Sequence, residues 1–286
     1  VYWMFNRPME QTEKFLQNKF AKKPEVVAAN IKVMHAGYNF AETIEALPSS
    51  YTVLSANLEK GTYRNVMGNQ AIAWGFLAAA ERASKELFLG SYPITPASDI
   101  LHELAKHKNL GVKTFQAEDE IAAICSAIGA SFTGSLAITT TSGPGLALKG
   151  EGLGLAIMTE LPLVVVDVQR GGPSTGLPTK TEQSDLMQAL YGRNGESPAV
   201  VLASSTPANC FDWAYMASKI TLEHNTPVIL LSDGYLANGA EPWKIKLTKD
   251  MPEIHPNLAN EGEEYQPYAR DNQTLARKLA LPGTKG

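Results

Sequence analysis

The sequence predicts an α/β fold in which a parallel β-sheet is covered by helices on both faces. From Gly68 onward, short apolar runs alternate regularly with longer amphipathic stretches, which is the pattern of repeated β-α-β units. The apolar runs, such as Leu163–Asp167, are almost uninterrupted, as expected for strands that are buried on both faces. In sheets of this kind, ligands bind beyond the carboxyl ends of the strands.

Two helical segments precede this alternation. The first is predicted over residues 7–20, with a proline in its first turn, and the second from Pro24 to a stop at Gly37. Each has one apolar face, and neither could form a core alone. The chain also begins at Val1 rather than Met. We therefore interpret residues 1–46 as the end of an upstream domain in a longer protein.

The remaining chain divides into three predicted parts. Residues 47–67 are interrupted by Pro, Ser, Asn and Gly and read as a linker, residues 68–240 form the main domain, and residues 241–286 are a polar, Pro-rich tail. The tail either wraps the surface or belongs to a neighbouring domain. Within the main domain, strands are predicted at 86–91, 112–115, 135–140, 163–167, 199–202 and 228–231. Helices are predicted at 68–83, from 96, from about 118, near 144, and at 182–191 and 207–222.

The charge balance argues against a nucleic-acid partner, and the length of the apolar segments argues against a membrane. The net charge of −4 and the pI near 5.8, without a basic stripe, argue against nucleic-acid binding. No signal peptide precedes Val1, and the longest apolar runs have the length of core strands. We expect a soluble, cytoplasmic protein with no membrane segment.

The two cysteines, Cys125 and Cys210, lack CxxC spacing. They exclude a disulfide framework and are too few to hold an iron–sulfur cluster within this chain. Cys125 lies between apolar residues and is expected to be a buried structural thiol. The scattered histidines predict no metal site, since the spacing of His102 and His107 does not place both on one helix face.

Three predicted strands end in unusual loops at the same sheet edge. In the first loop, residues 92–96 read YPITP, and Thr95 is either the N-cap of a helix with Pro96 at its first position or a rigid hydroxyl for a carboxylate substrate. The second, residues 141–145, reads TSGPG, whose glycines permit close approach of the backbone to a ligand. The third, residues 169–176, reads QRGGPSTG, and Arg170 offers a bidentate fork for a carboxylate or phosphate.

Three consecutive acids, Glu118, Asp119 and Glu120, open a predicted helix, where the helix dipole favours negative charge. Capping explains most runs of this kind. Glu120 differs because it leads directly into the apolar segment 121–124, which would desolvate it. Burial would suit its carboxyl group to exchanging a proton near neutral pH.

Taken together, these motifs resemble the pyrimidine-binding domain of thiamine diphosphate enzymes. The order of Glu120, Gly129 and the TSGPG turn is similar to that of the acetolactate-synthase group. YPITP, the Glu-Asp-Glu helix start, TSGPG and QRGGPSTG together resemble more sharply the alpha subunit of 2-oxoacid:ferredoxin oxidoreductases, in particular the 2-oxoglutarate type. The resemblance covers about residues 68–238, and the opening helices resemble the end of the gamma domain fused ahead of it in many members.

The resemblance implies roles for individual residues. Glu120 falls where the activating glutamate hydrogen-bonds N1′ of the aminopyrimidine, with Glu118 as the fallback. Ser142 and Gly143, together with Pro93 and Ile94, fall at cofactor-binding positions. Thr95 and Arg170 match the positions that hold the carboxylate of the 2-oxoacid.

The resemblance also implies oxidative decarboxylation of a 2-oxoacid, with electrons passing to ferredoxin and the acyl group to coenzyme A. The GDG…N signature for Mg²⁺ and diphosphate is absent, because Ser232-Asp233-Gly234 lacks its first Gly. In this family that signature and the iron–sulfur cluster belong to the beta subunit. We therefore expect half of a shared active site, inactive alone. The alternatives are a noncatalytic scaffold or regulatory subunit, a non-oxidative thiamine enzyme, and an oxidoreductase for pyruvate or branched-chain 2-oxoacids.

Overall fold

A computed structural model describes residues 1–260, 262 and 264–284. The chain forms two compact units, Val1–Lys60 and Gly61–Gly286. The second unit contains the predicted sheet and all of the motifs discussed above.

The first unit consists of two helices, α1 (Glu10–Lys19) and α2 (Pro24–Thr43). None of its residues is buried, as expected for two helices too small to form a core. The predicted stop at Gly37 is wrong, because α2 continues to Thr43. A glycine inside a helix costs only about 1 kcal/mol, so a single glycine does not by itself end a helix.

The second unit alternates strands and helices. Its strands are β1 (Tyr63–Met67), β2 (Leu87–Ser91), β3 (Val112–Gln116), β4 (Leu136–Thr141), β5 (Leu163–Gln169), β6 (Val200–Ala203), β7 (Val228–Asp233) and β8 (Ala240–Lys244). Its α-helices are α3 (Gly68–Ala83), α4 (Ser98–Leu104), α5 (Glu120–Phe132), α6 (Gly143–Leu148), α7 (Gly150–Met158), α8 (Leu186–Tyr191), α9 (Asn209–His224) and α10 (Gly234–Asn238). Short 3₁₀ segments follow at Ala105–Leu110 and Thr248–Asp250.

Six strands form one parallel sheet in the order β3-β2-β4-β5-β7-β6. Alternate residues of each strand enter different apolar clusters. On β5, for example, Val164 and Val166 join α3, α4 and α9, whereas Leu163 and Val165 join α5, α6, α7 and α8. The sheet is therefore covered by helices on both faces, and the predicted fold class is confirmed.

A second, two-stranded sheet lies outside the parallel one. Strand β1 forms the last five residues of the predicted linker, and it pairs in antiparallel register with β8, at the start of the predicted tail. Trp243 on β8 is buried against Trp74 and Phe211. Further along the tail, Met251 and Leu279 each enter one of the two core clusters. This segment therefore packs on the surface of its own unit.

Helix α5 corrects the expectation for Cys125, which is exposed rather than buried. Ile124, Ala127 and Ile128 face the core, and the helical period turns Cys125 to the opposite side. Cys210, by contrast, is buried on α9, and burial raises the pKa of its thiol.

None of the helices in the described ranges is both long and apolar enough to cross a membrane. Across the same residues, no group of three or more His, Cys, Asp or Glu side chains is arranged to hold a metal ion.

Candidate functional site

The candidate site begins with a change of direction in the sheet. From β2 the chain moves to β3 on one side, and from β3 it returns to β4 on the other side of β2. The loops after β2 and β4 therefore diverge and leave a crevice at the carboxyl ends of these strands. Below the crevice, the hydroxyl groups of Ser91 and Thr140 form a hydrogen bond of 2.6 Å that links the two strands.

The three acids at the start of α5 have separate environments. Asp119 is the N-cap, and its carboxylate accepts a hydrogen bond of 2.7 Å from the backbone N–H of Ala122. Glu118 and Asp119 are exposed, whereas Glu120 is only 7% exposed. Capping is thus accomplished by Asp119, so the burial of Glu120 needs another explanation.

The Glu120 carboxylate lies against the TSGPG turn. A Cβ atom placed on Gly145 would lie 3.0 Å from Glu120 Oε1 and 1.9 Å from Thr141 Oγ1. Glycine is therefore the residue that lets the turn approach both side chains. The structure brings together Glu120 and the turn that contains Ser142 and Gly143, for which the family resemblance implies the same ligand.

Ser142 adds an unpaired hydroxyl group to the TSGPG turn. It is fully buried, and its Oγ has no hydrogen-bond partner among the described residues. Buried polar atoms are normally paired, so an orphan of this kind needs an explanation. A buried carboxylate and an unpaired hydroxyl are complementary to an aminopyrimidine, which offers ring nitrogens and an amino group. The residues present therefore fit the predicted cofactor.

A pair of buried acids, Asp167 and Asp185, lies behind the turn, and the sequence analysis did not identify it. Asp185 Oδ2 would be 2.7 Å from a Cβ atom on Gly143, and Asp167 is fully buried on β5. Burial, and then the charge of Asp185, raise the pKa of Asp167 well above its ordinary value. Burial also raises the pKa of Asp185. The pair therefore favours a protonated carboxyl group beneath the turn.

A fully buried lysine was also missed by the sequence reasoning. Lys149, between α6 and α7, is 0% exposed. Its Nζ donates to the backbone oxygen of Glu120 at 3.0 Å and to Thr139 Oγ1 at 3.1 Å. The available signal was a single charged residue in the otherwise uncharged run 143–150.

The loop after β2 carries the other predicted site residues. Pro93 is exposed, whereas Ile94 is half-buried and packs against the core. The alternative of Thr95 as N-cap is wrong, because α4 begins at Ser98 with Ala97 in the capping position. The Ser98 N–H and hydroxyl both donate to Ile94 O, at 3.0 and 3.1 Å, so the turn closes before the helix starts.

Arg170 connects this loop with the third one. Its Nη1 donates to Thr95 O and its Nη2 to Thr175 O, both at 2.6 Å. Arg170 is 6% exposed, and its Nε has no partner among the described residues. A guanidinium group has five N–H donors, so donors remain beyond those that tie the loops together.

A cavity of about 270 Å³ lies beside Thr95. Thr179, Lys180 and Thr181 line it from the segment that follows the third loop, and Asp99 and Asn238 from helices. Hydroxyl and ammonium groups of this kind suit an anionic ligand. Lys180 and Thr181 lie beyond the QRGGPSTG motif, and the sequence alone did not single out residues 179–181 as cavity residues.

Comparison with known proteins gives a consistent picture. Residues 79–285 match the family model described as "Pyruvate flavodoxin/ferredoxin oxidoreductase, thiamine diP-bdg". The chain is 58% identical over 284 residues to a 2-oxoglutarate oxidoreductase subunit KorA of Mycobacterium tuberculosis, covering 99% of this chain and 44% of the relative. It is 45% identical over 169 residues to a 2-oxoglutarate synthase subunit KorA of Archaeoglobus fulgidus, covering 59% of this chain and 47% of that one.

A solved structure is similar over nearly the whole chain. It is the 2-oxoglutarate:ferredoxin oxidoreductase from Magnetococcus marinus with 2-oxoglutarate, coenzyme A and succinyl-CoA bound. The TM-score is 0.81 at 36% identity, and the match covers 99% of this chain and 48% of the other. The present chain thus spans about half the length of the relatives it matches.

Proposed function

Because this chain belongs to the family of thiamine diphosphate-binding domains of pyruvate flavodoxin/ferredoxin oxidoreductases, we propose that it supplies the pyrimidine half of a shared thiamine diphosphate site. The complete protein is then the alpha subunit of a 2-oxoglutarate:ferredoxin oxidoreductase. The names of its relatives support this substrate. The observation that carries the proposal is the contact of the buried Glu120 carboxylate with the TSGPG turn.

Each residue of the crevice has a proposed task toward the cofactor. When bound, thiamine diphosphate supplies an electron sink for decarboxylation of a 2-oxoacid. The Glu120 carboxylate holds and transfers a proton at N1′ of the aminopyrimidine. Ser142 and Gly143 bind the ring from the β4 side, and Pro93 and Ile94 border it from the β2 side.

The substrate is proposed to bind beside the first and third loops. The Thr95 hydroxyl and the remaining donors of Arg170 hold the carboxylate of the 2-oxoacid. Arg170 also fixes the two loops relative to each other through Thr95 O and Thr175 O. Its planar, charged fork suits both tasks.

The proposed partners supply the groups that the pyrimidine half of the cofactor site does not bind. We propose that a beta subunit binds Mg²⁺ and the diphosphate and carries the iron–sulfur cluster, since this chain has two separate cysteines. Electrons pass to ferredoxin, and coenzyme A takes the acyl group. The expected location is the cytoplasm.

Substitution of Glu120 tests the proposal. In the full-length protein with its partner subunit, we expect Glu120→Gln to lower kcat for 2-oxoglutarate-dependent acceptor reduction by about 100-fold or more, because loss of general acid–base catalysis has this magnitude. Glutamine keeps the size of the side chain but cannot exchange the proton.

Glu118→Gln is the matched control, because Glu118 is exposed two residues away. We expect it to keep wild-type turnover. Wild-type turnover in Glu120→Gln would instead indicate a noncatalytic scaffold. Loss of turnover in Glu118→Gln alone would move the role to the fallback acid.

A further inference from the structure

The most unusual charged group outside the proposed chemistry is the Lys149 ammonium. It is fully buried, and its two hydrogen-bond acceptors, the Glu120 carbonyl and the Thr139 hydroxyl, are both neutral. Placing a cation in such surroundings is unfavourable compared with an apolar side chain of similar size. A lysine that is buried at such a cost in free energy is a candidate for a functional role.

The ionisable groups that affect Lys149 lie on α5 and at its N-cap. Burial lowers the pKa of Lys149 to about 8, and the charges of Glu120, Asp119 and Cys125 act in the opposite direction. Thr139 on β4 faces the same ammonium as a neutral acceptor. Among the charged neighbours Glu120 has the largest effect, so the ammonium attracts the proposed catalytic carboxylate.

Lys149 also links the two segments that form the crevice. Its backbone N–H donates to Gly145 O at 3.0 Å, while its side chain holds the carbonyl of Glu120. Gly145 is the residue whose missing side chain admits the Glu120 carboxylate. One residue therefore fastens both the turn and the first residue of α5.

We propose that Lys149 is a positioning residue for Glu120, which fixes the first turn of α5 against the TSGPG turn and balances the charge of the carboxylate. The proposal rests on the proposed function in that Glu120 is taken as the group that meets the cofactor. Lys149 itself is not expected to touch substrate.

The test compares Lys149→Met with wild type in the full-length protein with its partner subunit. Lys149→Met removes the charge that balances Glu120 and leaves two buried acceptors unpaired, so Tm should fall. At the same time kcat should fall by about 10- to 100-fold, with KM for 2-oxoglutarate within about twofold, because an interaction expressed in the transition state is lost. The Kd for thiamine diphosphate should rise at least about fivefold, which follows from a displaced ring contact.

The pH profile gives a second readout. Wild-type kcat should decrease above about pH 8 as Lys149 loses its proton, and this limb should be absent in Lys149→Met. Lys149→Gln keeps hydrogen-bond donors without charge and covers the case in which the methionine variant does not fold. It too should lose the limb near pH 8.

Three results would overturn the proposal. They are an unchanged kcat in Lys149→Met, a lowered Tm with normal turnover per folded molecule, and a wild-type pH profile in Lys149→Gln. If wild type itself does not turn over 2-oxoglutarate, the proposed function fails. The inference is then decided by thiamine diphosphate binding alone.

Discussion

At the scale of residues, two neighbouring acids at the start of α5 have different roles in forming the crevice. Asp119 caps α5 from an exposed position, and Glu120, one residue later, is buried against the TSGPG turn. Adjacent helical residues point about 100° apart, so a helix start can separate these tasks. The order of the three acids in the sequence did not require this division, although the apolar segment after Glu120 favoured it.

Gly145 occupies a position at which the site cannot accept a side chain. We expect Gly145→Ala to reduce turnover by at least about 100-fold and to lower the free energy of unfolding by about 1–3 kcal/mol, as overpacking does. The new Cβ would lie 1.9 Å from Thr141 Oγ1 and would displace the Glu120 carboxylate. Urea unfolding and steady-state kinetics measure the two effects.

Gly154 in the middle of α7 provides the control for that substitution. A Cβ there meets nothing within 4 Å. Gly154→Ala should therefore stabilise the protein by about 0.5–1 kcal/mol, because alanine restricts the unfolded chain. Wild-type behaviour of Gly145→Ala would show that the turn does not press on Glu120.

At the scale of elements, helices and strands follow the local pattern except where distant segments meet. The alternation of apolar runs predicted the six parallel strands to within two residues at each end. The pairing of β1 with β8 joins residues about 180 positions apart, and these two short segments carry no strong strand pattern of their own. Their strand structure comes from packing on the core.

Trp243 is the residue that anchors β8. We expect Trp243→Ala to lower the free energy of unfolding by about 3–5 kcal/mol, since it removes a large buried ring that packs on Trp74 and Phe211. Leu247→Ala, four residues further on and 54% exposed, should change it by no more than about 0.5 kcal/mol. Equal effects in denaturant unfolding would contradict the assignment of β8 to the core.

At the scale of the whole molecule, the proposed activity requires a second subunit. This chain offers Glu120 and the TSGPG turn for the pyrimidine. Among the residues that the structure describes, no cluster could hold a metal ion. A complete thiamine diphosphate site also needs Mg²⁺ for the diphosphate. Under the proposed function, the beta subunit supplies this second half of the cofactor site.

Separating the subunits tests this expectation. The full-length alpha subunit alone should give no acceptor reduction above background with 2-oxoglutarate, and adding the beta subunit should restore it. In the complex, kcat/KM for 2-oxoglutarate should exceed that for pyruvate and for branched-chain 2-oxoacids by at least about tenfold, because a polar pocket rejects ligands that leave its groups unpaired. Activity without the partner, or a preference for pyruvate, would contradict the proposal.

The sequence by itself determined the fold class and the positions of the six parallel strands, and it predicted the burial of Glu120. These features depend on local order, since apolar periodicity and the spacing of glycines are read along the chain. The domain boundaries at 47–67 and 241 and the individual site roles stay predictions.

Only the tertiary structure decided which side chains are buried together. Cys125 is exposed although its neighbours are apolar, Lys149 is buried although it is charged, and Asp167 meets Asp185 across a separation of 18 positions. The physical reason is that burial depends on the direction in which an element faces its neighbours. That direction is fixed by packing between segments distant in the chain, and no local pattern encodes it.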